Sequence, residues 1–421
     1  MKVVELNDLD LASYLMPGDL LYWGEGSGEP VSLVQKLVEQ RATIGKLRAF
    51  LGMAISKVLQ PEHADHIRFQ SYGALVAVGR LQQAGVLDLM PSNYSAVPAH
   101  FTSGRLPVDA VFVQLSPPGP DGSHSLGFCN AALPAAMQRS RVIIAEINSH
   151  VPWTNTDTPI DPAVITVAVH SDLPPPVLPA IEPGEADKRI AQRIAGLIDD
   201  GATLQYGIGG IPTALLSALS GHKNLGLHTG LFTDPIVDLV QNGVITNTNK
   251  AVHRGISVAA FAIGGPRLRD LMHNNPAIAL HQLRSTHGAA SLSQIDNLMA
   301  INSALEVDLY GQANAEQVGS RYVGTIGGQV DFMHAASTSS RGLSVIAMPA
   351  TIPKTGTSRI SARINGPVVT TARADVDVVV TEFGVADLRA KTIQQRAQAL
   401  IDIAAPEHRD ELASQFEQQQ V

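Results

Sequence analysis

Short apolar runs alternate with helix-length amphipathic stretches along most of the chain. The runs are rich in Val, Ile, Leu and Ala and end in glycine or polar turns, which predicts an α/β fold with parallel strands and crossover helices. Because ligands of such sheets gather at the carboxyl ends of the strands, the residues that follow each run are the first candidates for chemistry. The clearest predicted strands are residues 20–23, 48–55, 110–116, 142–147, 203–206, 258–262, 343–348 and 376–380.

A proline-rich segment at residues 173–185 interrupts this alternation. Its proline density resists both helix and sheet, so it predicts a domain boundary. We therefore expect an N-terminal domain over residues 1–183 and a C-terminal domain over residues 184–421. The second domain opens with a predicted helix at residues 187–200, whose apolar residues have helical spacing and which stops at Gly201.

The composition fits a two-domain protein that acts on small molecules. The 421 residues, 45% of them hydrophobic, are enough for two separate cores. The net charge of -8 and the lack of a clustered basic face argue against a nucleic-acid partner. The single cysteine, Cys129, suits a reducing compartment, and no signal-peptide core or membrane-length apolar run is present. We expect a cytoplasmic protein without a membrane partner.

Three glycine-rich loops in the C-terminal half are candidates for ligand binding. They are residues 207–212, 324–332 and 354–360, and the last holds two cations among small polar residues. Glycines let backbone N–H groups approach a ligand closely, and a helix start adds a partial positive charge suited to phosphate or an oxyanion. A single loop of this kind is a weak signal, and the first does not meet the Rossmann fingerprint.

Taken together, the three loops and a set of further motifs resemble the acetyl-CoA hydrolase/transferase family, the 4-hydroxybutyrate CoA-transferase-like members of the family I CoA transferases. The resemblance covers essentially the whole chain. The motifs that carry it, besides the loops, are residues 106–109 (Leu-Pro-Val-Asp), 116–118 (Ser-Pro-Pro), 125–127 (Ser-Leu-Gly), 145–148 (Ala-Glu-Ile-Asn), 225–229 (Leu-Gly-Leu-His-Thr), 301–305 (Ile-Asn-Ser-Ala-Leu) and 381–388 (Thr-Glu-Phe-Gly-Val-Ala-Asp-Leu).

The resemblance implies two similar NagB/RpiA-like α/β domains with an active site in the cleft between them, and a homodimer or higher homo-oligomer. It implies a glutamate that attacks acyl-CoA to give a mixed anhydride and then a glutamyl-CoA thioester, with backbone donors at the oxyanion, where Gly328 matches. Coenzyme A enters as substrate, with no permanently bound cofactor. The residues expected to contact CoA are Gly207, Gly209, Gly210, Gly327, Gly328, Lys354, Gly356 and Arg359.

The chain departs from the family at the catalytic position. The family's glutamate follows His-Thr in the Gly-Leu-His-Thr segment, and here that position is Gly230. Glycine has no side chain to attack a thioester. Asp234 lies four residues further on and would need a rearranged loop to take over the role.

Two carboxylates near predicted strand ends are candidates for a relocated nucleophile. Glu29 is expected at the start of a helix, where the helix dipole favours the ionised form. Glu62 lies in a loop with His63 and His66, and His63 is placed to tune it. Both also have an interpretation without a catalytic role. Glu29 can be an ordinary glutamate in the first turn of a helix, and Glu62 can be part of a surface loop. The two histidines lack an acidic third ligand at a known spacing, so a metal site is not expected.

Other potential nucleophiles are weaker candidates. Glu146 and Glu382 belong to motifs shared with relatives that keep the usual glutamate, which indicates an architectural or substrate-orienting role. Glu25 is less constrained and lies between two glycines. Cys129 has no evident base beside it and is more typical of a buried filler.

Three functions follow from these observations. The first is a transferase that moves CoA between a short-chain acyl-CoA and a carboxylic acid of the acetate, butyrate or 4-hydroxybutyrate kind, with its nucleophile moved from position 230. The second is an acyl-CoA hydrolase, in which a base such as Glu62 activates a water molecule that occupies the room left by Gly230. The third is a protein that binds CoA or acyl-CoA without turnover.

Overall fold

The computed structural model describes residues 1–119, 122–364 and 366–418, which form two compact units. The first unit consists of Met1–Pro179, Gly230–Asp234 and Ile256–Gly288. The second consists of Ala180–Thr229, Pro235–Gly255 and the described residues from Ala289 onward. The first division, after Pro179, falls within the proline-rich segment, while two later segments return to the first unit.

The strands are numbered here in chain order. They are β1 (Lys2–Val4), β2 (Leu20–Trp23), β3 (Leu47–Leu51), β4 (Ile67–Ser71), β5 (Leu87–Leu89), β6 (Ala110–Leu115), β7 (Val142–Asn148), β8 (Asn155–Thr156), β9 (Val167–Ser171), β10 (Thr203–Tyr206), β11 (Gly226–Leu227), β12 (Leu231–Thr233), β13 (Ser257–Ala259), β14 (Phe261–Ile263), β15 (Ile278–Leu280), β16 (Leu298–Asn302), β17 (Glu306–Asp308), β18 (Ala313–Asn314), β19 (Gln317–Val318), β20 (Arg321–Tyr322), β21 (Leu343–Ala347), β22 (Ile360–Ser361), β23 (Val378–Thr381) and β24 (Gly384–Asp387).

The helices are numbered in the same way. They are α1 (Val31–Ile44), α2 (Val78–Gln83), α3 (Val97–Thr102), α4 (Leu133–Arg139), α5 (Glu185–Ala195), α6 (Gly210–Ala218), α7 (Ile236–Gln241), α8 (Pro266–Met272), α9 (Leu283–Thr286), α10 (Ala289–Leu292), α11 (Gln329–Thr338), α12 (Ile393–Asp402) and α13 (Arg409–Gln418). Short 3₁₀ turns occur between them, among them Gly26–Gly28, Pro61–Asp65 and Tyr94–Ala96.

The first unit is organised around an eight-stranded sheet in the order β1-β9-β7-β6-β2-β3-β4-β5. All of its strand pairs are parallel. Its central strands β2, β6 and β7 are buried along their whole length, as expected for parallel sheets. Leu21, Phe112 and Ile144 of the sheet belong to one core with Leu33 and Leu37 of α1. Two smaller parallel sheets, β12-β14 and β13-β15-β8, complete the unit.

The second unit is organised around a six-stranded sheet in the order β11-β10-β16-β21-β23-β24. Its strands pair in parallel except for β24, which is antiparallel to β23. Ala300 and Ile346 of the sheet share a core with Phe332 and Met333 of α11 and Leu400 of α12. A three-stranded sheet, β18-β17-β22, and a two-stranded sheet, β19-β20, extend the unit. The predicted α/β fold with mainly parallel sheets and flanking helices is confirmed.

Several predicted boundaries differ from the structure. The predicted strand at 48–55 ends at Leu51, because Gly52 opens the loop after it, and the strand predicted at 258–262 is two strands separated by Ala260. The helix predicted at 187–200 corresponds to α5, which ends at Ala195. Tight turns follow it, and in one of them the backbone N–H of Leu197 donates to the carbonyl of Ile194. Among the helices described here, none is both long and apolar enough to cross a membrane.

Candidate active site

Glu25, at the carboxyl end of β2, is the centre of a buried hydrogen-bonded cluster in the first unit. Its side chain is 1% exposed. Oε1 accepts hydrogen bonds from the hydroxyls of Tyr22 at 3.1 Å and Tyr94 at 2.8 Å. Oε2 accepts from the hydroxyl of Tyr72 at 2.6 Å and from the backbone N–H of Met53 at 2.9 Å. Both carboxylate oxygens therefore have two donors each.

The strand order of the sheet brings these donors together. Strands β2, β3 and β4 are adjacent and parallel, so the residues that follow them meet at one edge. Glu25 follows β2, Met53 follows β3 and Tyr72 follows β4. A Cβ atom on Gly52 would lie only 2.1 Å from Cδ of Glu25, so only glycine leaves room for the carboxylate there.

The tyrosines around Glu25 are held in their protonated form. Burial raises the pKa of Tyr22, Tyr72 and Tyr94 well above the usual value, and the negative charge of Glu25 adds to this effect. The three hydroxyls consequently remain donors at neutral pH. Cys129 also contacts the cluster, because its Sγ accepts from the backbone N–H of Glu25 at 3.3 Å. Burial raises the pKa of this thiol, so the thiolate needed for attack is disfavoured.

Position 230 lies in the same unit and is connected to Glu25 by two aromatic rings. A Cβ atom on Gly230 would lie 3.3 Å from Nε2 of His287. The His287 ring packs edge-on against Tyr94, with 5.1 Å between ring centroids, and Tyr94 donates to Glu25. Nδ1 of His287 is 2.7 Å from Oγ1 of Thr286. A continuous line of contacts therefore runs from the space beside Gly230 to the buried carboxylate.

His287 is neutral in this environment. It is 2% exposed, and burial lowers its pKa from about 6.5 to about 3. A neutral imidazole next to position 230 has one ring nitrogen that accepts a proton and one that donates.

The depressed pKa of His287 predicts a loss of stability in acid. Between pH 6.5 and about 3 the unfolded chain binds a proton at this residue that the folded chain does not, so the free energy of unfolding falls as the pH falls. Urea unfolding from pH 7 to pH 4 should show that His287→Gln loses less stability than the wild type, by roughly 1 kcal/mol per pH unit below 6.5. The exposed His170 provides the control: His170→Gln should keep the wild-type slope. Equal slopes for all three proteins would show that His287 is not buried as a neutral group.

Glu29, the first carboxylate predicted from the sequence, is fully buried near the start of α1. Its Oε2 accepts from the backbone N–H groups of Ile55 at 3.2 Å and Ser56 at 2.9 Å, and its Oε1 accepts from Ser56 Oγ at 2.6 Å. Burial outweighs these hydrogen bonds and raises the pKa of Glu29. The expected stabilisation of its ionised form by the helix start is therefore not the dominant effect.

Glu62, the second predicted carboxylate, is exposed on the turn Pro61–Asp65. None of the contacts around Glu25 and position 230 described above involves it. His63 caps the same turn, with Nδ1 accepting from the backbone N–H of Gln60 at 3.1 Å. In the described ranges of the chain, no three His, Cys, Asp or Glu side chains are grouped as a metal site would require.

Asp234 and Glu146 are engaged in structural contacts. Both carboxylate oxygens of Asp234 accept from the backbone N–H of Gly265, at 3.1 and 2.9 Å, just before α8. Oε2 of Glu146 accepts from the N–H groups of Ser32 and Leu33 in the first turn of α1, at 3.0 and 3.3 Å. The position of Glu146 agrees with the architectural role expected from the sequence.

The first two glycine loops of the second unit have the backbone geometry that favours glycine. In the first, after β10, Gly209 has a φ of +125°. A Cβ atom on Gly210 would lie 2.4 Å from Oδ2 of Asp187, a residue of α5. In the second, Gly327 has a φ of +53° and Gly328 is the N-cap of α11. A Cβ atom on Gly207 would have no other atom within 4 Å, so the space beside this residue is open.

The third loop places Arg359 among the carboxyl ends of β16, β21 and β23. Its Nη1 donates to the carbonyl of Ala304 at 3.4 Å, and its Nε is buried without a partner among the described residues. Burial lowers the pKa of Arg359, and the carboxylate of Glu382 opposes this shift. Glu382 in turn accepts from the N–H of Ala350 at 2.8 Å. Lys354 is exposed, so the half-buried Arg359 is the better-positioned cation of the loop.

Comparison with known proteins decides the family. The acetyl-CoA hydrolase/transferase N-terminal domain matches residues 2–179, and the acetyl-CoA hydrolase/transferase C-terminal domain matches residues 264–416. The chain belongs to the acetyl-CoA hydrolase/transferase family. The resemblance inferred from its motifs is thereby confirmed.

Relatives in this family include both transferases and hydrolases. The chain is 37% identical over 393 residues to the 4-hydroxybutyrate coenzyme A transferase of Clostridium kluyveri, covering 92% of this chain and 91% of the relative. It is 26% identical over 343 residues to an acetyl-CoA hydrolase of Neurospora crassa, covering 71% of this chain and 63% of the relative. These similarities support an enzyme that acts within CoA thioester chemistry.

Solved structures agree with the same assignment. RipA from Yersinia pestis superimposes with a TM-score of 0.94 at 30% identity, covering 100% of this chain and 98% of that one. A 4-hydroxybutyrate CoA-transferase from Porphyromonas gingivalis superimposes with a TM-score of 0.85 at 32% identity, covering 99% and 98%. The fold of this family member is thus the fold of its transferase relatives.

Proposed function

We propose that this chain is a CoA transferase that moves CoA between a short-chain acyl-CoA and a carboxylic acid, and that Glu25 takes the nucleophilic role that position 230 lacks. The observation that carries the proposal is the line of contacts from Gly230 through His287 and Tyr94 to Glu25. Of the carboxylates considered above, Glu25 is the one that this line of contacts connects to position 230. Glu29 and Glu62 stay as alternative nucleophiles.

The reaction proceeds in two exchanges at the Glu25 carboxyl. A carboxylate oxygen attacks the thioester carbonyl carbon, the carbon–sulfur bond breaks, and CoA leaves as the thiolate. The thiolate then attacks the carbonyl carbon of Glu25, and the first acid leaves as its carboxylate. The second acid repeats the two steps in reverse, taking CoA from the glutamyl thioester and restoring Glu25.

The hydroxyls around Glu25 fit both the resting and the reacting state. In the resting state they donate hydrogen bonds to its carboxyl oxygens. When a thiolate attacks the acylated side chain, negative charge develops on an oxygen of the same carboxyl group, and fixed donors at that oxygen stabilise it without reorganisation. Burial of the cluster also excludes water, which protects a mixed anhydride from hydrolysis.

In the second unit, we propose that the glycine loops bind CoA as a substrate. Arg359 offers a buried guanidinium nitrogen without a protein partner among the described residues, which suits a phosphate or carboxylate oxygen. Gly327 and Gly328 precede α11, and Gly328 is its N-cap residue, so the role of Gly328 as an oxyanion donor stays a prediction. The roles of Gly207, Gly209, Gly210, Lys354 and Gly356 toward CoA are proposals on the same basis.

Acyl-CoA hydrolysis is the second candidate, and the space beside Gly230 that adjoins Nε2 of His287 favours it. With glycine at position 230, a water molecule beside Nε2 has room to attack a thioester carbonyl while the imidazole takes its proton. The carbon–sulfur bond then breaks, CoA leaves as the thiolate, and the imidazolium returns the proton to it. This route forms no glutamyl intermediate.

Trapping the intermediate separates the candidates. The full chain is incubated with acetyl-, butyryl- or succinyl-CoA, treated with borohydride or hydroxylamine, and mapped by mass spectrometry. A modified Glu25 is the expected result, and a modified Glu29 or Glu62 would move the nucleophile there. Thioester cleavage without modification would favour the hydrolase. CoA binding without cleavage for any acyl chain would leave a binding protein.

A further inference from the structure

His287 directly follows the short helix α9, which one carboxylate fastens at both ends. Oδ1 of Asp157 accepts from the backbone N–H of Gln282 at 3.0 Å, and its Oδ2 accepts from the hydroxyl of Ser285. These residues meet because β8 and β15 are adjacent and parallel, with Asp157 after the first strand and Gln282 after the second. The backbone N–H of His287 donates to the carbonyl of Leu283 at 2.8 Å. The backbone that carries His287 is therefore anchored to the sheet.

Two contacts hold the imidazole ring of His287 itself. The ring packs edge-on against Tyr94, with an interplanar angle of 89°. Its Nδ1 lies 2.7 Å from Oγ1 of Thr286. The other ring nitrogen, Nε2, is the atom nearest to the place of a Cβ atom on Gly230, at 3.3 Å. The nitrogen that carries the ring proton thus decides whether Nε2 donates or accepts a hydrogen bond beside position 230.

Two acceptors compete for the hydroxyl proton of Thr286. The carbonyl of Gln282 lies 3.3 Å away, but it already accepts from the backbone N–H groups of Ser285 at 2.9 Å and Thr286 at 3.1 Å. These two donors use both lone pairs of that carbonyl oxygen. Nδ1 of His287 is closer, and its distance of 2.7 Å is usual for a hydrogen bond donated by a hydroxyl and short for one donated by an N–H. Both observations direct the hydroxyl proton to Nδ1.

We infer that Thr286 is a positioning residue that donates to Nδ1 of His287, so that the imidazole carries its own proton on Nε2 and presents it beside position 230. A neutral imidazole has one ring proton, and Nδ1 accepts, so this proton is on Nε2. An N–H at this place suits an oxygen that gains negative charge, which here is the carbonyl oxygen of an acyl group under attack. The structure thus assigns His287 the role of a hydrogen-bond donor.

The position of this proton separates the two candidate reactions. Hydrolysis needs a bare Nε2 that takes a proton from water, whereas transfer gains from a donor at the oxygen that becomes negative. With its proton on Nε2, His287 serves transfer. The inference rests on the proposed function because it takes an acyl-CoA as the substrate, but the proton can be located in the protein without any turnover.

The test is nitrogen NMR of the full-length protein with isotope-labelled histidine, at neutral pH and without substrate. The signals of His287 are identified as those that disappear in His287→Gln. Correlations between the ring nitrogens and the ring protons distinguish a proton on Nε2 from a proton on Nδ1, and we expect it on Nε2. A proton on Nδ1, or a ring with both nitrogens protonated, overturns the inference.

Variants of Thr286 test whether its hydroxyl sets this arrangement. Thr286→Val keeps nearly the same shape without the hydroxyl, so we expect the His287 proton to distribute over both nitrogens. We expect kcat for transfer from butyryl-CoA to acetate to fall by roughly tenfold to a hundredfold, less than the loss of an oxyanion donor itself would cause. Thr286→Ser should return both properties toward the wild type. Thr102→Val is the control, because this exposed threonine also bonds a carbonyl four residues back, that of Pro98 at 3.1 Å, and it should change neither.

The outcomes have distinct meanings. An unchanged proton position in Thr286→Val overturns the role of Thr286, and so does a loss of kcat that Thr286→Ser fails to restore. A proton on Nε2 in the wild type that is redistributed in Thr286→Val supports the inference even if trapping modifies no glutamate, in which case only the proposed transfer fails. The wild-type spectrum and Thr286→Ser still decide the question if Thr286→Val does not fold.

Discussion

Glu25→Gln is expected to reduce CoA transfer by at least about a thousandfold, the scale on which loss of a covalent nucleophile acts. An amide cannot form the mixed anhydride or the glutamyl thioester. The substitution also fits the site, because an amide oxygen in the place of Oε2 still accepts from Met53 N–H and Tyr72. The amide nitrogen then faces the hydroxyls of Tyr22 and Tyr94, which can rotate to accept. The measurement is kcat for transfer from butyryl-CoA to acetate.

The matched control is Glu29→Gln, a second buried glutamate in the same loop. Its donors are backbone N–H groups and Ser56 Oγ, and we expect it to retain most of the transfer activity. CoA affinity and thermal unfolding should be measured for both proteins to separate chemistry from folding. Near-normal turnover in Glu25→Gln, with loss in Glu29→Gln, would transfer the nucleophilic role to Glu29.

Gly230→Glu in the Glu25→Gln background is expected to restore transfer by at least about tenfold over Glu25→Gln alone, because a positioned nucleophile contributes several orders of magnitude. The backbone at Gly230 is outside the left-handed region, so it accepts a side chain without backbone strain. The new Cβ lies 3.3 Å from His287 Nε2, which requires the ring to move by a few tenths of an ångström. Trapping with acyl-CoA should then modify residue 230.

Gly230→Gln in the same background is the control, since it has nearly the same size and no nucleophilic oxygen anion. It should show no recovery. If Gly230→Glu also shows no recovery of transfer, while the protein folds and binds CoA, the surroundings of position 230 do not support acyl transfer. That result would favour the hydrolase or the CoA-binding protein as the function.

The sequence predicts where the main strands lie, but not how the site is assembled. Residues 20–23 and 203–206 are strands as predicted, because their apolar runs stop at glycine-rich turns. The importance of Glu25 depends on Tyr22, Tyr72 and Tyr94, which are far apart in the chain. They meet only because β2, β3 and β4 are neighbours, and strand order is not contained in the periodicity of a single strand. The pair of glycines around Glu25 was the one available signal.

His287 could not be found from the sequence for a related reason. It directly follows the short helix α9 and belongs to no recognisable motif, and its importance comes from its proximity to Gly230 and Tyr94. Membership of the family, by contrast, depends on many short motifs spread over the whole chain, so it could be inferred from the sequence.

The first unit is discontinuous, and this affects how the protein is made. Gly230–Asp234 and Ile256–Gly288 belong to it, although Ala180–Thr229 of the second unit comes before both segments in the chain. During synthesis, the eight-stranded sheet is available once β9 has left the ribosome, but Gly230 and His287 emerge much later. The complete first unit can therefore form only after Ile256–Gly288 has been translated. A fragment that ends at residue 183 would therefore contain Glu25 and Tyr94 but neither Gly230 nor His287.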